Sequence, residues 1–176
     1  GNFDNLKKTF LEFLGKIPFY GVGICCHDHP VLLELISEIK DRRILTYGFN
    51  ENADFVIRDL HYSGEMAHFD VYIQPKDSTL TLELPMYGDH NVSNATAAVA
   101  IAQYLDINSL SIIYALKHFK GVKRRFTKVC TWRGIDIIDD YAHHPVEIRA
   151  VLSAARQYTS GRVLAVHQPH RYSRLN

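Results

Sequence analysis

Asp139-Asp140-Tyr141-Ala142-His143-His144-Pro145 is a run of titratable and hydrogen-bonding side chains that follows directly on the apolar stretch Gly134-Ile135-Asp136-Ile137-Ile138. A short β-branched apolar run suits a strand buried on both faces. Pro145 fits the first position of a helix and Glu147 its first turn; Val151, Ala154, Ala155 and Tyr158 then recur at helical spacing until Gly161. Arg162 to Val166 has the composition of a second buried strand, and it too runs into a polar cluster, His167-Gln168-Pro169-His170-Arg171-Tyr172-Ser173-Arg174. Strand, helix and strand in about thirty residues form a βαβ unit, parallel and right-handed in nearly all cases. Both clusters are therefore expected at the carboxyl ends of parallel strands, where open α/β sheets bind ligands.

The whole chain of 176 residues, 47% apolar and 22% charged, has the composition of a globular protein with a real core rather than of a disordered one. Its 20 Lys and Arg against 19 Asp and Glu leave a net charge of +1, so no bulk field points toward nucleic acid or an anionic membrane. Three cysteines, two of them adjacent at Cys25 and Cys26, make neither a disulfide framework nor a CxxC metal pair, which favours a reducing, cytosolic setting. No apolar run approaches the roughly 20 residues that span a bilayer. The opening GNFDNLKKTF lacks a signal-peptide layout and starts abruptly, as though cut from something longer.

Upstream, Phe3, Leu6, Phe10, Phe13 and Leu14 predict an amphipathic helix whose aromatic stripe joins the core. Phe19 to Cys26 predicts a buried strand with Gly21 and Gly23, but Cys26 at the third position breaks a dinucleotide fingerprint. Asp28 or His29 is expected to cap a helix opening at Pro30; a metal site there would need further ligands. Arg43 to Tyr47 is a short strand. The period then changes from 3.6 to 2, and Asp54–Leu60, Ala67–Ile73 and Thr79–Leu84 predict a half-exposed antiparallel meander with turns at Ser63-Gly64 and Lys76-Asp77.

Gly88-Asp89-His90-Asn91-Val92-Ser93-Asn94 leads into an alanine-rich helix predicted over Ala95 to Leu105. Asn91 and Asn94 share one face of its first turn; capping explains one of them, whereas His90 and both Asn residues at a helix start, where free amides favour anions, also suit a binding site. Ser109 is expected to cap the next helix, with Ile112, Ile113, Leu116 and Phe119 buried and Gly121 as its stop. Lys123-Arg124-Arg125-Phe126 is either a solvated linker or the source of an arginine that reaches a phosphate or carboxylate. Composition shifts here, and a domain boundary is expected between about Gly121 and Arg133.

GDHNVSNATAAVA, GVKRRF and DDYAHHP followed by HQPHRYSR, in this order, resemble the Mur ligases, and Tyr141 with the HRYSR cluster is similar to the alanine-adding branch rather than the murein tripeptide ligase branch. The resemblance implies an α/β fold: a partial central ATP-binding domain over residues 1–122, with a parallel sheet, helices and the antiparallel meander, then the first βαβ unit of a Rossmann-like carboxyl-terminal domain over 123–176. It implies ATP and Mg²⁺ as cofactors, UDP-N-acetylmuramate and L-alanine as substrates, peptidoglycan synthesis as the setting, and neither nucleic acid nor membrane as partner. No GxxxxGK[ST] loop is found, since Phe10 occupies the required glycine position and Ile17 follows Gly15-Lys16. The principal phosphate and Mg²⁺ ligands of the family are thus expected before Gly1, and ligation by this chain alone is not expected.

Residue by residue, the resemblance implies that His90, Asn91 and Asn94 lie near the nucleotide, that Arg125 with Arg124 reaches ATP phosphate, and that Asp140 holds the ribose. It places Tyr141, His143, His144, His170, Arg171 and Arg174 in the pocket for the alanine carboxylate, with His143, His144 and Arg125 closest to the chemistry, and makes Asp139 structural support. Acyl-phosphate chemistry is governed by positioning and charge neutralisation, which suits Arg, His and Asn better than a protein nucleophile. Two other readings compete. A metal-dependent hydrolase would use His143, His144, His167 and His170 with Asp139 and Asp140, although Arg171 and Arg174 would set positive charge beside the cation. A noncatalytic nucleotide-binding module is the second.

Overall fold

A computed structural model describes residues 2–169. Helix α1 (Phe3–Gly15) precedes β1 (Val22–Cys26), α2 (Pro30–Glu38) and β2 (Arg43–Gly48), and β1 pairs in parallel with β2, as expected of a strand, helix, strand unit. Strand β3 (Phe55–Ser63) joins β2 in parallel; β4 (Met66–Ile73) and β5 (Ser78–Leu84) continue antiparallel, so the order is β1-β2-β3-β4-β5. The turns fall at Gly64 and at Asp77, both with positive φ. The fold class is α/β, as expected. Helices α3 (Asp89–Tyr104) and α4 (Ser109–Lys117) cover the sheet. Between them and the meander lies the core, centred on Phe55, Ile57, Phe69, Val71, Leu82, Leu84, Val92, Val99 and Ile112.

The alternation of β4 is complete, each second residue from Ala67 to Ile73 being buried. That is the period-2 signature of a sheet with one wet face. On the other side of the core, Ala95 and Ala100 of α3 are buried, and their small side chains let the helix lie close over the strands.

Several local expectations are corrected. The α1 stripe is not in the core: Phe3, Phe10 and Phe13 are exposed and only Leu14 is buried, because no described element lies over the other three. Strand β1 starts at Val22 rather than Phe19, since Gly21 closes a turn on the Pro18 carbonyl at 2.8 Å and leaves Phe19 and Tyr20 in solvent. Neither Asp28 nor His29 caps α2 through its side chain; Asp28 instead accepts the amides of Phe49 and Asn50 at 2.9–3.0 Å. Asn108, not Ser109, caps α4, which ends before Phe119 and leaves that ring exposed.

The largest difference follows the first sheet. Within the stretch where a domain boundary is expected, and where the sequence pattern predicts no strand, the chain forms β6 (Thr127–Trp132), which makes an antiparallel hairpin with β7 (Ile135–Asp139) through Arg133 and Gly134, both with positive φ. Two consecutive positive φ values are what a two-residue hairpin loop demands. Ile135 and Ile137 are exposed, so β7 is not buried on both faces. Helix α5 (Pro145–Tyr158) follows as expected. Arg162 to Val166 pairs with no strand among the described residues; a cavity of about 460 Å³ lies between this segment, β7 and α5. The strand and helix of the expected βαβ unit are thus present, and its second strand makes no ladder.

Leu82 is fully buried in the middle of β5. Leu82→Ala is expected to destabilise the fold by about 2–5 kcal/mol through lost burial and an unfilled cavity. A urea titration would register this as a lower midpoint with an unchanged slope.

Candidate functional site

Two stretches far apart in sequence build the site. The first is the start of α3. Gly88 is its N-cap, with φ at 96° and no side-chain cap, and this conformation starts the helix at Asp89, six residues before the expected Ala95. The amides of the first turn are left without a capping side chain, an arrangement that favours an anion. Gly88 also lies against α5: a Cβ there would stand 2.6 Å from the His90 ring and 3.1 Å from Ala154. Only glycine fits both the dihedral and the space.

Asn91 and Asn94 fare differently. Asn91 is buried and its amide donates to the Tyr87 carbonyl at 2.7 Å, holding the entering loop, whereas Asn94 is exposed on the turn above. His90 is half-buried. Burial pushes its pKa down; the negative charge of Asp140 opposes this, and the positive charge of Arg125 adds to it. A neutral imidazole is therefore favoured at that point.

The second stretch is the end of β7. Asp140 accepts the Phe126 amide on one oxygen and the Ala142 amide on the other, each at 2.7 Å. The Tyr141 amide donates to the Arg124 carbonyl at 2.9 Å, while Arg124 Nε stands 3.3 Å from Asp139 and its guanidinium lies 4.7 Å from the Tyr141 ring centre. Arg124 and Phe126 both adopt positive φ, which turns the connecting chain so that these bonds form. Asp139 is thus a support for Arg124, and the Arg124 head group is occupied by Asp139 and Tyr141. Among the described residues Arg125 has no ion-pair partner.

Beyond Tyr141 the backbone is held by Glu147. Its Oε2 accepts the amides of His143 and His144 at 3.2 Å each, and His144 caps α5 by accepting the Val146 amide on Nδ1 at 3.4 Å. This is a capping box with histidine as the N-cap. The His143 backbone bond is the first cause that holds the Glu147 carboxyl below its ordinary range. His143 Nδ1 lies 2.8 Å from the Tyr141 carbonyl, which can only accept, so Nδ1 carries a proton.

His90, Arg125, Asp140 and Glu147 therefore share one electrostatic neighbourhood where the two stretches meet. Arg124 and Asn91 are turned to structural work beside it. His170, Arg171 and Arg174 lie outside the described residues. Among the described residues no three His, Cys, Asp or Glu side chains converge as a metal-ligand set. The sequence reading missed Gly88, whose signal is the glycine before the helix, and the ring group of Tyr87, Phe126 and Tyr158 beside the site, which only the folded chain brings together, at 5.1–6.3 Å between centres.

Two outcomes follow from this geometry. Gly88→Ala is expected to displace His90 and part α3 from α5, with loss of stability visible as a lower thermal midpoint and a shifted His90 ring resonance. Glu147 has a depressed folded-state pKa, so its stabilisation is complete above the unfolded value of about 4.3 and is lost as pH falls through the folded value. Urea midpoints measured from neutral pH to about pH 3 should fall less for Glu147→Gln than for the native chain.

The family model described as Mur ligase middle domain matches residues 1–102, and that described as Mur ligase, glutamate ligase domain matches 124–174. A protein of Roseobacter denitrificans named UDP-N-acetylmuramate--L-alanine ligase is 55% identical over 177 residues, covering 100% of this chain and 38% of that protein. One of the same name from Jannaschia sp. is 55% identical, with 100% and 37% covered. The chain thus spans well under half the length of these relatives. Among solved structures, MurF of Acinetobacter baumannii superimposes with a TM-score of 0.78 at 28% identity over 89% of this chain and 34% of that one. UDP-N-acetylmuramate-alanine ligase MurC of Thermotoga maritima does so with a TM-score of 0.61 at 33% identity over 70% and 28%. With residues 1–102 of its 176, more than half of the chain, matched by the middle-domain model, the chain belongs to the Mur ligase family.

Proposed function

We propose that this chain is the part of an ATP-dependent ligase where the central ATP-binding domain, residues 1–122, meets the carboxyl-terminal ligase domain, residues 123–176, and that the whole protein joins L-alanine to UDP-N-acetylmuramate in peptidoglycan synthesis in the cytoplasm. The observation that carries this reading is the meeting of the two stretches, the first at Gly88 beside Ala154 of α5 and the second closed by the Asp140 carboxylate on the Phe126 and Ala142 amides. The 55% identity of relatives named for that reaction supports the choice of amino acid. The family resemblance assigns the ligation to a longer protein, and this chain is not expected to ligate by itself.

ATP, when bound, would supply the phosphoryl group that activates the muramate carboxylate as an acyl phosphate; the alanine amine would then attack the acyl carbon and expel inorganic phosphate. This chain's own residues are assigned binding and orienting work. Each oxygen of Asp140 has accepted one amide and keeps a lone pair for a ribose hydroxyl, so the residue fits a nucleoside while holding the chain. Arg125 and the first amides of α3 offer positive potential to phosphate, and Asn94, exposed on the same helix, offers an amide to the base or ribose. Asn91 serves by holding the loop, and Arg124 by holding Asp139 and Tyr141. Mg²⁺ is assigned to no residue of this chain.

Tyr141, His143, His144, His170, Arg171 and Arg174 are assigned to the amino acid. The two arginines are three positions apart, a spacing suited to clamping one carboxylate. His143 is assigned to orient the alanine nitrogen. In the full-length enzyme, Arg174→Ala is expected to raise KM for L-alanine about ten- to a hundredfold, the cost of a lost charge-assisted contact, with KM for ATP little changed. Phosphate release dependent on ATP, UDP-N-acetylmuramate and L-alanine measures it, and an unchanged KM for alanine would remove the clamp assignment.

A further inference from the structure

We propose that Asp89 and Gln157 form a positioning tie, anchored by Tyr62, that sets the angle between the five-stranded unit and the unit made of β6, β7 and α5. One oxygen of Asp89, Oδ1, accepts from the Tyr62 hydroxyl of β3 at 2.9 Å and from the Gln157 amide of α5 at 3.0 Å. A single carboxylate at the start of α3 thereby joins a strand of the first unit to the last turn of the helix of the second. The covalent connection between the units cannot fix their angle by itself. From His118 to Phe126 it has no helix or strand, and Gly121, Arg124 and Phe126 all take positive φ.

Ring packing and a close backbone approach also hold the joint, and neither is directional in the same way. Tyr87 packs edge-on against Tyr158 at 5.1 Å and near Phe126, stacks on Tyr62 at 5.5 Å, and donates its hydroxyl to the Gly64 carbonyl. Apolar ring contact is proportional to buried area and tolerates sliding. The approach of Gly88 to Ala154 limits how near the units come but leaves rotation about that point open. The Asp89 bridge, lying beside the pivot and needing both distance and angle, selects one rotation.

The consequence reaches the site through the length of α5. Its 14 residues make a rod about 20 Å long, with Gln157 in the last turn and His144 at the N-cap. A small rotation at the tie is carried along that rod to His143 and His144 and changes their distance from His90. Asp89 and Gln157 are exposed, so the bridge is worth little to global stability; a net hydrogen bond shifts a two-state population by about two- to tenfold. That is enough to select an orientation and too little to hold up a fold.

The test is independent of the ligase reading and uses the 176-residue chain. Residual dipolar couplings of backbone amides report the alignment of each unit separately. In the native chain one alignment tensor is expected to fit both units. Gln157→Leu, which keeps the bulk and removes the donor, should give two tensors, the second unit reduced in order, while the thermal midpoint moves little. Tyr62→Phe, which keeps the ring stack, should do the same to a smaller extent. The exchange Asp89→Asn with Gln157→Glu restores donor and acceptor with their roles reversed and leaves an oxygen for Tyr62, so it should restore the single tensor. A single unchanged tensor in Gln157→Leu, or two tensors in the native chain, would overturn the proposal.

Discussion

The carboxylate of Asp140 is the interaction on which the second half of this molecule depends. It accepts one amide from the incoming chain at Phe126 and one from the outgoing chain at Ala142, both at 2.7 Å, so two segments that leave β6 and β7 in different directions are held together at their shared end. Without it the Phe126 and Ala142 amides would each lose a charged acceptor, a larger loss than that of a neutral bond. The positive φ of Arg124 and Phe126 is tolerated because this bond and the Tyr141 to Arg124 bond over-determine the turn. One residue thus closes the turn, and its negative charge is felt at His90.

That arrangement explains why neighbouring residues of like type do different work. Asp139 and Asp140 are adjacent, yet one neutralises Arg124 and the other gathers amides. Arg124 and Arg125 are adjacent, yet the first is spent on Asp139 and the Tyr141 face while the second carries its charge toward His90 and Glu147. Consecutive residues in a turn point apart, and the partner that each direction meets decides the role. Composition counts two acids and two arginines; the turn separates one functional candidate from one support in each pair.

The meander, α3 and α5 were legible because each has a single strong period: alternation in Ala67–Ile73, alanines and valines at helical spacing after Val92, and Pro145 before a 3.6-residue repeat. Strand β6 was not, because Thr127–Trp132 is almost wholly exposed and shows no burial pattern to read; its only local sign is Arg133-Gly134, a hairpin loop that calls for positive φ. The α1 stripe misled for the opposite reason. Its spacing is that of a buried face, and periodicity says that a face is apolar without saying what lies over it. In the candidate site, residue types at His90, Arg125, Asp140 and His143 were readable, and the division of labour between Asn91 and Asn94 was not, since it rests on where the Tyr87 carbonyl falls.

Long-range placement is where local reading ends. The Gly88 to Ala154 approach joins positions 66 residues apart, and no periodicity of either segment predicts it. Its logic is nevertheless physical: a helix start that must meet another helix closely needs a residue without a side chain, and the same residue must take a dihedral at 96°. Glycine satisfies both demands at once. Because α3 begins there and α5 passes there, the uncapped amides of α3 and the His90 ring are set beside Ala154 of α5 at a position that admits no Cβ. The candidate site is therefore placed at the joint between two packing units.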